Sequence, residues 1–126
     1  MILAIDIGGT KTLVSLADEN RKVLQSEKFP TPKNYKQFIS ELSKVVANFS
    51  TKYSLVVAAA PGKIDRKAGK GIIFGNLAWK NVPLAKDISV VTKSTVLVEN
   101  DANLAGLGEA HNLRPVPHKV LYITIS

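Results

Sequence analysis

The segment Asp6-Ile7-Gly8-Gly9-Thr10-Lys11-Thr12 gathers a carboxylate, two glycines, two hydroxyls and an ammonium in one short run. Backbone N–H groups exposed in a Gly-rich turn, with a hydroxyl and an ammonium beside them, suit an anionic phosphate. Glycine lets the backbone approach such a ligand closely and adopt positive φ without penalty. Asp6 would face a phosphate-bound magnesium ion through water, because Mg²⁺ dehydrates reluctantly. A plain hairpin turn uses the same Gly-Gly pair, so this segment alone leaves both readings open.

A second constellation is Glu99-Asn100-Asp101-Ala102-Asn103. Open α/β sheets bind ligands where strand carboxyl ends meet helix N-termini. A carboxylate there can take the proton from a substrate hydroxyl as it attacks a phosphoryl group. Asn100 can bond neighbouring hydroxyls. Asp101 is equally a good N-cap for the helix behind it. In Gly75-Asn76-Leu77-Ala78-Trp79 an amide stands beside an aromatic, as in sugar sites, although a lone Trp more often packs in a core or lid. Pro61-Gly62 ends a buried run, and most such pairs are turns. His111 and His118 flank a loop without further ligand residues, so surface roles outweigh metal binding.

The elements that must position these residues follow from periodicity. Strands are predicted over Ile2–Ile7, Thr12–Ala17 and Lys22–Phe29, forming a meander that Pro30 and Pro32 end. A helix is predicted from Tyr35 to Phe49, with Phe38, Leu42, Val45, Val46 and Phe49 on one face and Asn34 as N-cap, Gln37 completing a capping box. Ser54–Ala60 reads as a strand buried on both faces. Lys63 to Trp79 is a turn-rich hairpin excursion. Pro83 opens a short helix with Leu84, Ile88 and Val91 inward. Thr95–Glu99 is a buried strand leading into a helix to about Ala110. Pro115 and Pro117 mark a loop, and Val120–Ile125 begins a last strand. The order predicts an α/β fold, a mixed sheet with an antiparallel three-strand meander and flanking helices.

At 126 residues the chain is read as a single domain, residues 1–126. No apolar run approaches the roughly 20 residues that span a bilayer. Met1 leads into the first strand without a signal peptide, and cysteine is absent, which fits a cytoplasmic location. The net charge of +7 comes from 17 dispersed Lys and Arg, with only Lys63, Arg66, Lys67 and Lys70 clustered. A solvated loop explains that cluster better than nucleic acid does.

Taken together and in order, these motifs resemble the ROK family of sugar kinases and repressors, within the actin-like ATPase superfamily with its ribonuclease H-like lobes. The matching pieces are Asp6 to Thr12, Ala60-Pro61-Gly62, Gly75 to Trp79 leading to Asn81-Val82-Pro83-Leu84, and Glu99 to Asn103. Leu121 to Ser126 looks like the start of the family's second phosphate segment. The resemblance implies that Asp6, Gly8, Gly9, Thr10 and Lys11 bind ATP and Mg²⁺, and that Asp101 is the general base. It implies sugar contacts for Asn76, Asn100, Asp101 and, more weakly, Gly62. The implied reaction passes the ATP γ-phosphoryl group to a hexose, usually at the 6-hydroxyl. Family members are longer, with a second lobe that completes the nucleotide site and carries a His-Glu sugar motif and often a cysteine-rich zinc site. By that comparison this is an N-terminal lobe, inactive alone, without a zinc site, whose full-length parent is a candidate homodimer. A non-catalytic sugar-sensing or regulatory module is the alternative. A repressor is disfavoured, since no winged helix precedes the first strand.

Overall fold

A computed structural model describes residues 1–49, 52–115 and 117–123. In β1 (Ile2–Ile7) exposed and buried residues alternate, so Leu3, Ile5 and Ile7 enter the core while Asp6 stays outside. The chain turns into antiparallel β2 (Lys11–Ala17), which pairs with antiparallel β3 (Val23–Pro30). This is the expected meander. Pro30 is accommodated because β3 is an edge strand and can lack a ladder donor.

Helix α1 (Tyr35–Val46) starts at the N-cap Asn34, whose Oδ1 accepts the Gln37 N–H at 3.1 Å. It ends before the expected Phe49, yet Phe49 is still buried, so the apolar stripe outlasts the helix. β4 (Leu55–Ala60) then lies parallel to β1, and β8 (Thr95–Asn100) lies parallel to β4. The sheet order is β3-β2-β1-β4-β8. Phe38 and Leu42 of α1 join Leu84 and Ile88 of α2 (Leu84–Thr92) in one core with Leu3, Ile5, Val56 and Ala58. Tyr35 Oη donates to Asp87 Oδ2 at 2.9 Å, tying α1 to α2. Burial, then the hydrogen bond and charge of Asp87, raise the Tyr35 phenol far above its ordinary value, so it remains a donor at any working pH.

Between β4 and α2 the chain forms a second, antiparallel sheet of β5 (Lys63–Asp65), β6 (Lys70–Ile73) and β7 (Lys80–Val82). The hairpin β5–β6 was expected. Strand β7 was not, because three residues with only Val82 buried carry no periodic signal. Trp79 is a core residue and no sugar platform. It is 3% exposed, sits 4.7 Å from the Phe38 ring centroid, and its Nε1 donates to the Lys33 carbonyl at 2.9 Å.

Helix α3 (Asp101–Asn112) follows β8 directly. Residues Val120–Ile123, expected to open a last strand, form none, and the rest of that expected strand lies outside the described residues.

Candidate functional site

Strand register places the first carboxylate. Asp6 stands opposite Ala59 on β4, and Ala59 stands opposite Glu99 on β8. In-register partners share a sheet face, so Asp6 and Glu99 lie in one row, two strand spacings or about 10 Å apart at the backbone. Alanine between them leaves that row open. Asp6, Pro61-Gly62 and Asn100-Asp101 all stand at or beyond the carboxyl ends of the three parallel strands. Asp6 is exposed, and its carboxylate makes no hydrogen bond or ion pair among the described residues.

The turn after β1 is a tight hairpin. The Gly8 N–H donates to the Lys11 carbonyl at 3.0 Å, leaving Gly9 and Thr10 at its tip. Neither Gly8 nor Gly9 has positive φ, which corrects the expectation drawn from their type. Space is what they provide. A Cβ on Gly8 would meet the Lys11 oxygen at 2.7 Å, and one on Gly9 would meet Asn76 Cβ at 2.7 Å. Thr10 and Lys11 are exposed, whereas Thr12 is fully buried and shares a 2.8 Å hydrogen bond with the Thr31 hydroxyl. The Thr31 N–H also donates to the Thr10 carbonyl at 2.9 Å, so the loop after β3 braces the turn.

At the start of α3 the structure reassigns the cap. Asn100, not Asp101, is the N-cap: its φ of −64° and ψ of 139° are extended, and its Oδ1 accepts the Asn103 N–H at 3.1 Å. Its Nδ2 donates to the Gly62 carbonyl at 2.9 Å, joining the Pro61-Gly62 turn to the helix start. Asp101 is the first helical residue and is exposed. Its Oδ1 accepts the Ala102 N–H at 2.8 Å, while Oδ2 has no partner among the described residues. A carboxylate held by one oxygen and open at the other suits a general base.

Glu99 is a junction that sequence reasoning left without a role. Its Oε1 accepts from the Asn100 N–H at 2.8 Å and from Asn103 Nδ2 at 3.1 Å. Its Oε2 accepts from Arg66 Nε at 2.8 Å, so one member of the basic cluster ties the β5–β6 hairpin to the end of β8. Arg66 is 73% exposed, which limits that pair's worth to about 1 kcal/mol or less.

Gly62 does need its glycine conformation. Its φ is 97°, and a Cβ would collide with the Ile73 carbonyl. Gly62→Ala is expected to cost about 3 kcal/mol from backbone strain plus overpacking. Urea denaturation of the 126-residue chain measures this. A loss below about 1 kcal/mol would show that the turn relaxes freely.

The ROK family model matches residues 2–126. The glucokinase of Streptomyces coelicolor is 29% identical over 111 residues, which is 86% of this chain and 35% of that enzyme. The N-acetyl-D-glucosamine kinase of Haemophilus influenzae is 32% identical over 114 residues, 87% of this chain and 38% of that enzyme. Among solved structures, a ROK family glucokinase from Streptomyces griseus in complex with glucose and AMPPNP superposes with a TM-score of 0.79. Its sequence identity is 30%, and the match covers 86% of this chain and 35% of that one. The chain thus spans little more than a third of the length of these relatives.

Proposed function

The chain belongs to the ROK family, and from that membership we propose that it is the N-terminal lobe of an ATP-dependent hexose kinase. The observation that carries this reading is the gathering of the Gly8–Lys11 turn, Asn76 and the Asn100-Asp101 pair at one end of β1, β4 and β8. A phosphate-binding turn that touches a sugar-binding amide brings donor and acceptor within reach of each other. In this reading Gly8, Thr10 and Lys11 hold the nucleotide phosphates, and Gly9 stands at the tip of the same turn against Asn76. Asn76, Asn100 and Gly62 border the hexose, with Asn100 and Gly62 already bonded to each other. Asp101 accepts the proton of the attacking hydroxyl at Oδ2.

Magnesium, when it enters with the nucleotide, neutralises phosphate charge. The residue that would face a metal carried by the phosphates is Asp6, an exposed carboxylate without a hydrogen bond or ion pair among the described residues. No described helix is long and apolar enough to cross a membrane.

The test is hexose-dependent ADP release by a full-length ROK protein that contains this lobe. Sugar-dependent release from ATP is the expected result. A product that binds hexose tightly and releases no ADP would replace the kinase with a sugar-sensing module.

A further inference from the structure

We propose that Gly9 is a positioning residue for the hexose, whose absent side chain lets Asn76 seat against the phosphate-binding turn. The inference rests on the kinase reading above. Two demands on Gly9 can be separated. Its φ is not positive, so the backbone conformation does not require glycine. The space does: a Cβ there would lie 2.7 Å from Asn76 Cβ and 3.6 Å from both Asn76 Cγ and Nδ2. Real Cβ atoms essentially never approach so closely, so something would have to move.

The displaced group cannot be a side-chain tip. A Cβ is fixed by its own backbone, so a methyl at position 9 must push the whole Asn76 segment. That segment is pinned on both sides, by Phe74 at 4% exposure and by Leu77 and Trp79 at 6% and 3%. Asn76 itself is exposed, so the buried anchors hold it out toward solvent from a rigid base. Gly75, its neighbour, has open space around it, so the crowding against Asn76 falls at Gly9 and not within the Asn76 segment itself. The same turn that faces the nucleotide therefore sets where the sugar amide stands, and acceptor and donor positions are coupled through one contact.

This separates Gly9 from a phosphate-approach role. A glycine needed for phosphate binding would show its loss in the KM for ATP. A glycine needed to seat Asn76 shows it in the KM for hexose.

The experiment has two arms. In the longer kinase, Gly9→Ala is expected to lower kcat/KM for hexose by roughly 10–100-fold with the KM for ATP nearly unchanged, since small misplacements of a reacting group carry penalties of that order. In the 126-residue chain, Gly9→Ala is expected to lower Tm by roughly 5 °C through overpacking. Asn76→Gly removes the opposing Cβ, so Gly9→Ala added to it should cost almost no further Tm. Asn76→Ala keeps that Cβ and should give no relief.

Equal Tm losses in the wild-type and Asn76→Gly backgrounds overturn the contact. A rise confined to the KM for ATP, or a melt cycle as expected with both KM values unchanged, overturns the positioning role. A wild-type parent that phosphorylates no hexose removes the kinase reading and with it the hexose role. The melt cycle then decides the contact by itself.

Discussion

Asp101→Asn in the proposed full-length kinase is expected to lower kcat by roughly 10²–10⁴-fold, the usual contribution of a general base, and to leave hexose affinity within a few-fold. The amide has the carboxylate's size but cannot take the hydroxyl proton. The structure makes this variant easier to interpret than the sequence did, because capping has moved to Asn100. Asp101 sits in the first turn, where a carboxylate gains about 0.3–1 kcal/mol from the helix dipole. Loss of the true cap, in Asn100→Ala, carries about 1 kcal/mol and also releases the Gly62 carbonyl. Steady-state kinetics and thermal melts on both variants separate the two: Asp101→Asn is expected to lower kcat with little change in Tm, whereas Asn100→Ala is expected to lower Tm and raise the KM for hexose. Near-normal kcat in Asp101→Asn would strip Asp101 of its role and require another base.

The second expected result is that the 126-residue chain alone gives no measurable sugar-dependent ATP turnover. In the proposed reading, the groups facing the phosphates among the described residues are one hairpin turn and one exposed carboxylate. Phosphoryl transfer depends on positioning and on charge stabilisation from several sides, with closure that excludes water. In the proposed reading one lobe offers a single wall, and the chain spans 35% of the Streptomyces coelicolor glucokinase. A coupled ADP assay with hexose, ATP and Mg²⁺ measures this, and turnover comparable to that of the longer protein would refute it. Hexose binding by the chain without turnover would fit, since Asn76, Asn100 and Asp101 are all present.

Much of the architecture was legible in local patterns. Alternation in Ile2–Ile7 marks a strand with one covered face, and the structure keeps Leu3, Ile5 and Ile7 inside with Asp6 outside. Periodic Phe38 and Leu42 mark the buried side of α1, and Asn34 caps it. These signals are legible because side-chain periods of two and 3.6 residues are properties of the backbone itself. Where a signal was short the reading failed. The three-residue β7 had no period to read, and α1 ended before its apolar stripe did.

By itself the sequence determined most of the element order, the core faces of β1 and α1, and the motifs that mark family membership. Only the tertiary structure decided what each polar group does. Residue types allow Asp101 or Asn100 to cap α3; the extended backbone at Asn100 settles it. Thr12 reads as a companion of Thr10 and Lys11 but points inward to Thr31, since alternation along β2 turns every second residue toward the core. The Asn100–Gly62 bond joins residues 38 apart, Arg66 reaches Glu99, and Gly9 meets Asn76. No local period encodes such pairs. They exist because parallel strands require long crossovers, and those crossovers bring distant turns to the same end of the sheet.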